Sequence, residues 1–180
     1  MSVFTSRGYV ALLPDCLIGP AGQKGNPVQE LRDVLIPQIL HAGELGYVDP
    51  ERVALIGQSY GGYCTAALLS ATPIFAAGIS VSGLYDLPDC LLGPTSAAPT
   101  STRAGPKGAR GGWGHAVGGA RPICGEFPYY RADKIRTPLL MIHGESDDTC
   151  PVADAQKMFG ALKRLGAKAQ LAVYPGRGTW

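Results

Sequence analysis

The sequence lacks the features that mark disulfide-rich, zinc-binding, membrane-spanning and secreted proteins. Its five cysteines are odd in number, widely spaced and without a C-x-x-C pair. This pattern argues against a disulfide framework and a zinc site, and it favours a reducing, cytoplasmic location. No run of about 18 apolar residues is present, so we expect no membrane-spanning helix. Residues 1–7 also lack the apolar centre of a secretory signal.

Charged residues are also scarce, at 17% of the chain, and their net charge is only +2. This charge is too small to favour binding to nucleic acid or to an anionic membrane. A hydrophobic content of 46% over 180 residues fits one folded globular domain, residues 1–180. We predict no cofactor and no metal, and the sequence leaves the oligomeric state open.

Residues 53–69 carry the strongest pattern in the chain. They begin with V-A-L-I, a continuous apolar run typical of a strand buried on both faces of a parallel sheet. G-Q-S-Y-G follows directly, and residues 62–69 then show apolar side chains at helical spacing. A strand, a G-x-S-x-G motif and a helix in this order predict a nucleophile elbow, with Ser59 as the nucleophile.

The chemistry of an activated serine explains this choice of residues. A sharp strand-to-helix turn would hold Ser59 in strained backbone geometry, with its hydroxyl above the sheet edge. We expect Gly57 and Gly61 to leave room for the turn, where a side chain would clash. The backbone N–H of Tyr60, at the N-terminus of the helix, is the predicted oxyanion donor. The alternative is a glycine-rich turn without a catalytic role.

The remaining patterns predict an α/β fold with about five mainly parallel strands flanked by helices. Apolar periodicity predicts a helix over residues 27–45, kinked at Pro37, and another over residues 152–165. The predicted strands cover residues 8–15, 53–56, 77–82, 139–143 and 170–174.

Residues 92–126 interrupt this alternation. They are rich in small and polar residues and have no periodic apolar face. We predict a flexible insertion within the domain. Its basic residues could contact an acidic partner, but a solvated loop explains them as well.

Two adjacent aspartates follow the strand predicted over residues 139–143. Ligands of a parallel sheet bind beyond the carboxyl ends of its strands, so Asp147 and Asp148 should lie on the same side as Ser59. A carboxylate at this position can orient the imidazole of a catalytic histidine. The alternative is turn and helix-capping chemistry before Val152, and one aspartate could cap while the other acts.

A histidine is missing from the place where this fold needs one. The chain order of the triad in α/β-hydrolases is serine, acid, histidine, so the base should follow the last strand. The chain has only three histidines. His41 lies in the long predicted helix, His115 in the predicted insertion, and His143 at the end of a strand, where we interpret it as structural.

Four segments are similar to the catalytic domain of the prolyl oligopeptidase family of serine peptidases, which has the α/β-hydrolase fold. They are S-R-G-Y-V-A-L-L-P-D, V-D-P-E-R-V-A-L-I-G-Q-S-Y-G-G-Y, T-P-L-L-M-I-H-G-E-S-D-D-T-C-P and V-Y-P-G-R-G. The resemblance implies Ser59 as nucleophile, Tyr60 as backbone oxyanion donor, and Asp147 rather than Asp148 as acid. The histidine of the family follows P-G-x-G, a position that Thr179 occupies in this chain.

The resemblance also implies a peptide or small acyl substrate, cleaved through an acyl-enzyme on Ser59. Two family features are missing from the sequence, namely an upstream H-G-G-P-like loop with a second oxyanion group and an N-terminal β-propeller, so the chain looks truncated. Because Thr179 replaces the histidine, we expect little turnover. The alternatives are a small-ester esterase and a catalytically inactive binding domain.

Overall fold

A computed structural model describes residues 2–14, 27–46, 48–86 and 127–179. In these ranges four strands form one sheet in the order β1-β2-β3-β4, and all three strand pairs are parallel. The strands are β1 (Ala54–Gln58), β2 (Ala77–Val81), β3 (Leu139–Gly144) and β4 (Ala169–Tyr174). The predicted insertion, residues 92–126, lies outside the described ranges.

Helices precede and connect these strands in the described ranges. They are α1 (Ser2–Thr5), α2 (Pro27–Glu44), α3 (Tyr60–Ala71) and α4 (Val152–Arg164), with 3₁₀ helices at Pro50–Arg52 and Pro128–Lys134. The helices predicted over residues 27–45 and 152–165 are therefore confirmed within one residue. Pro37 lies inside α2, which continues on both sides of it. No helix in the described ranges combines the length and apolar character that crossing a bilayer requires.

The helix α3 is the centre of the hydrophobic core. It packs against β1, β2 and α2, and most of its side chains are buried. A helix with apolar side chains on all sides is stable only inside a protein. Since α3 begins at the predicted elbow, its burial fixes that turn to the rest of the fold. One stripe of α2 joins the same core through Val28, Leu31, Leu35 and Ile39.

The prediction of a strand over residues 8–15 is wrong. Residues 9–14 form no strand, and Tyr9, Val10 and Leu13 expose 64%, 58% and 74% of their surface. A strand forms only where its backbone N–H and C=O groups pair with a neighbour. Within the described residues, no strand lies beside the outer edge of β1. The described sheet consequently has four strands instead of the expected five.

Candidate active site

The strained turn predicted at Ser59 is observed at the carboxyl end of β1. Ser59 has φ +54° and ψ −117°, a backbone conformation that residues other than glycine rarely adopt. Its N–H donates to the Val81 carbonyl at 2.8 Å, and its own carbonyl accepts from the N–H groups of Gly62 and Tyr63. These backbone hydrogen bonds hold Ser59 between β2 and α3.

Close approach of two backbone segments explains the glycines of the elbow. A Cβ on Gly57 would lie 2.1 Å from the Gly61 carbonyl oxygen, so no side chain fits there. The same expectation for Gly61 is wrong, because a Cβ at that position would meet nothing within 4 Å. The second position that excludes a side chain is Gly62, where a Cβ would lie 2.8 Å from the Gly83 Cα and from the Ser80 hydroxyl oxygen.

Tyr60 is the first residue of α3. The N–H groups of a first helical turn point towards the N-terminal end of the helix, where the helix dipole favours negative charge. Tyr60 is 43% exposed, and its ring lies 5.3 Å from the Tyr63 ring, centroid to centroid. The N–H of Tyr60 thus adjoins Ser59 at the helix end that favours an anion.

Asp147 lies in the loop after β3, and one of its carboxylate oxygens accepts three hydrogen bonds. Oδ1 accepts from the N–H of Thr149 at 3.0 Å, the N–H of Cys150 at 2.8 Å and the hydroxyl of Thr179 at 2.7 Å. Burial alone would raise the pKa of Asp147, but these bonds and the nearby Ser82 hydroxyl outweigh it. The pKa therefore lies below its ordinary value, and Asp147 is ionised at neutral pH.

The second carboxylate oxygen of Asp147, Oδ2, faces the protein interior. Neither Oδ2 nor the Ser82 hydroxyl makes a hydrogen bond of ordinary geometry within the described residues. His143 Nε2 is 3.8 Å from Oδ2, too far for a hydrogen bond, and it donates instead to the Cys150 carbonyl at 2.6 Å. His143 is fully buried, which agrees with the structural role predicted for it.

Cys150 lies between Ser59 and Asp147. Its thiol is within reach of the Ser59 hydroxyl, and its backbone N–H donates to Asp147. Burial and the charge of Asp147 raise the pKa of the Cys150 thiol to about 12, although the Ser59 hydrogen bond opposes this rise. A thiol with this pKa is protonated at neutral pH and is a poor nucleophile. No sequence pattern singled out Cys150. Its contacts with both residues mean that Ser59 and Asp147 lie on the same rim of the sheet.

Thr179 reaches Asp147 because the C-terminal segment crosses the end of β3. A Cβ on Gly144 would lie 2.4 Å from the carbonyl oxygens of both Arg177 and Gly178. The missing side chain at Gly144 therefore allows the crossing. The Thr179 hydroxyl then donates to a carboxylate oxygen, as an imidazole N–H does in a catalytic triad.

The other candidate residues lie away from this arrangement. His41 is exposed on α2, with its Nδ1 3.3 Å from Glu44 Oε2. Asp148 is exposed, and α4 begins after Pro151 without a side-chain cap, so neither aspartate caps this helix. Asp147 does make the turn hydrogen bonds of the alternative interpretation, from the N–H groups of Thr149 and Cys150. His115 lies outside the described residues.

Sequence comparison places the chain among peptidases. The sequence model of the prolyl oligopeptidase family matches residues 1–180. The chain is 29% identical to the uncharacterized peptidase YuxL of Bacillus subtilis (strain 168), over 94% of this chain and 24% of that protein. It is 25% identical to the acylamino-acid-releasing enzyme of Arabidopsis thaliana, over 96% of this chain and 22% of that protein. The chain thus spans about a quarter of the length of these relatives.

Solved structures give the same result. The uncomplexed acylaminoacyl peptidase of Pyrococcus horikoshii is similar with a TM-score of 0.65 and 26% identity, over 83% of this chain and 23% of that one. Esterase PE8 shares the fold at 20% identity and a TM-score of 0.54, over 86% of this chain and 54% of that one. The chain has the α/β-hydrolase fold and belongs to the prolyl oligopeptidase family of serine peptidases.

Proposed function

We propose that this chain forms part of a serine hydrolase that cleaves peptide bonds by acyl transfer. Ser59 is the nucleophile, Asp147 the acid of the triad, and the N–H of Tyr60 an oxyanion donor. The observation that carries the proposal is the strained Ser59 on the same rim as the ionised Asp147. In the reaction, the Ser59 oxygen attacks the scissile carbonyl, the amine leaves with a proton, and water releases the acyl group.

Thr179 limits the turnover of this chain. A serine hydroxyl is a weak nucleophile until a base takes its proton. The Thr179 hydroxyl donates to Asp147, but an alcohol does not accept a proton at neutral pH. Loss of the histidine from a serine protease triad lowers kcat by about a million-fold, and we expect an activity reduced to a comparable degree.

The variant Thr179→His tests the assignment. A histidine at this position would donate to Asp147 and accept the proton of Ser59, so we expect a rate gain of about 10² to 10⁴ over the parent chain. The measurement is hydrolysis of p-nitrophenyl acetate and of a peptide p-nitroanilide. Adding Ser59→Ala to Thr179→His should return the rate to that of the parent chain or below. A folded Thr179→His variant that stays as slow as the parent would disprove the proposed site.

The peptidase and esterase hypotheses differ in their substrates. YuxL and the Pyrococcus horikoshii protein are peptidases by name, and the esterase alternative has no stronger support. We propose a peptide substrate and test it with matched anilides and esters of the same acyl group. Hydrolysis of the ester without the anilide by Thr179→His would favour the esterase.

An inactive binding domain predicts a different result with a fluorophosphonate probe. A serine that is activated by a base reacts with the probe, whereas an inert serine does not. We expect labelling of the Thr179→His variant that disappears with Ser59→Ala. A cytoplasmic location stays a prediction.

A further inference from the structure

Ser59 and Asp147 are arranged for a base that the described residues do not supply. Of the histidines in the described ranges, His41 is exposed on α2 beside Glu44. His143 is buried and donates its Nε2–H to a backbone carbonyl. Within the described residues neither ring makes a hydrogen bond to Ser59. The nucleophile and the acid therefore have no proton acceptor in the described part of the chain.

The Thr179 hydroxyl marks the position where such an acceptor would bind. It donates to Oδ1 of Asp147 at 2.7 Å, a length typical of a charge-assisted hydrogen bond. The other two donors to Oδ1 are backbone N–H groups within the same loop, whereas Thr179 is an exposed side chain on the last segment. A Cβ on the neighbouring Gly178 would have its nearest contact at 3.7 Å, so this segment is not tightly packed. A ring N–H in place of the hydroxyl would leave the two backbone hydrogen bonds to Oδ1 intact.

We propose that the notch formed by Ser59, Asp147, Cys150 and Thr179 binds one imidazole ring from another molecule and uses it as a base. This inference rests on the proposed function. One ring nitrogen donates its hydrogen to Asp147 in place of Thr179. The other accepts the hydrogen bond of the Ser59 hydroxyl in place of the Cys150 thiol. A neutral imidazole has one donor and one acceptor on its two nitrogens and a pKa near neutrality, so it matches both partners.

The bond changes balance without another reagent. As the Ser59 oxygen bonds to the substrate carbonyl carbon, the free ring nitrogen takes the hydroxyl proton and becomes imidazolium. The imidazolium returns this proton to the leaving group as the bond between carbonyl carbon and leaving group breaks. Water then attacks the acyl-serine, and the ring accepts one proton from water and returns one to Ser59. The ring ends unchanged and acts as a catalyst.

The test measures p-nitrophenyl acetate hydrolysis by the full chain at rising concentrations of imidazole or 1-methylimidazole. The methylated ring keeps the accepting nitrogen but has no N–H for Asp147. We expect a saturable increase of about tenfold or more with imidazole only, after subtraction of the protein-free rate. Thr179→Gly should enlarge the increase, because it removes the competing hydroxyl and opens the notch.

Matched variants decide the outcome. Ser59→Ala and Asp147→Asn should each abolish the saturable increase. Equal acceleration by the two rings, or acceleration that persists in Ser59→Ala, would mean that the ring acts in solution, and the inference would be wrong. If Thr179→His is active but Thr179→Gly does not respond to imidazole, only this inference fails. If neither variant is active, the proposed function fails with it.

A last comparison identifies the source of the ring. N-acetylhistidine amide carries the same imidazole on a peptide unit, whereas imidazole is the free ring. A saturable response to both with tighter binding of the peptide form assigns the notch to a histidine side chain, and a response to imidazole alone assigns it to a small free ring. The absence of a response to either compound in Thr179→Gly contradicts the inference.

Discussion

The Thr179 hydroxyl donates to Oδ1 of Asp147 at 2.7 Å, across 32 positions of the sequence. The bond joins the segment after β4 to the loop after β3, next to the nucleophile elbow. Because two backbone N–H groups donate to the same oxygen, the Asp147 carboxylate is already oriented without a histidine. The fold therefore holds Ser59 and Asp147 in place independently of any base.

Removing the Thr179 hydroxyl should remove one of the three hydrogen bonds to Asp147 Oδ1. Thr179→Val keeps the shape of the side chain but loses the donor, so we expect the free energy of unfolding to fall by about 1 kcal/mol at neutral pH. Urea denaturation checks this value. Thr179→Ser retains a hydroxyl and is the matched control. The two variants should converge as the pH falls and Asp147 becomes protonated, and equal stability at neutral pH would contradict the prediction.

A second buried carboxylate, Asp154 in α4, has a pKa that is shifted in the opposite direction to that of Asp147. Its Oδ2 accepts from the N–H of Tyr85 at 2.6 Å and of Asp86 at 3.3 Å, while its Oδ1 has no hydrogen-bond partner among the described residues. Burial raises the pKa of Asp154, and the two N–H groups only partly offset it. The Asp86 charge raises it further, while Lys157, whose Nζ is 2.6 Å from Asp86 Oδ2, lowers it.

The contributions of these two aspartates to the free energy of unfolding should change with pH in opposite directions. The folded-state pKa of Asp147 lies below the unfolded value of about 3.9, so its contribution is present above that pH and is lost on acidification. The folded-state pKa of Asp154 lies above the unfolded value, so its contribution is present below that pH and is lost as the pH rises through the folded-state pKa.

The variants Asp147→Asn and Asp154→Asn test this difference. Urea unfolding between acid and neutral pH should show that the stability of Asp147→Asn relative to the parent falls as the pH rises. For Asp154→Asn, the relative stability should improve over the same range, since the amide needs no proton and retains an acceptor for Tyr85 and Asp86. Parallel profiles for the two variants would refute the opposite directions of their pKa shifts.

The two elbow glycines offer a matched pair of alanine variants. At Gly57 a Cβ would lie 2.1 Å from a backbone oxygen, so Gly57→Ala must displace the elbow and should cost about 2–4 kcal/mol of stability. Gly61 is inside α3, and a Cβ there meets nothing within 4 Å, so Gly61→Ala should be neutral or stabilising by up to about 1 kcal/mol. Thermal unfolding compares them, and a Gly57→Ala variant as stable as the parent would show that the elbow tolerates a side chain.

The sequence contains enough local information to predict the elements but not all of their contacts. The strand β1, the turn at Ser59 and the helix α3 follow from neighbouring residues, since an apolar run, a glycine-flanked serine and helical spacing act within a few positions. The same is true of α2 and α4, whose apolar stripes repeat at helical spacing. By contrast, the hydrogen bond from the Tyr85 N–H to Asp154 spans 69 positions, and no local pattern predicts it.

What the sequence determined by itself is the family, the strained turn at Ser59 and an aspartate beyond the carboxyl end of β3. What only the tertiary structure decided is how distant segments meet. Residues 9–14 have the apolar content of a strand but form none in the described structure, because a strand depends on a neighbour for its hydrogen bonds. The link through Cys150 and the contact of Thr179 with Asp147 likewise depend on chain packing, which brings together residues that are far apart in sequence.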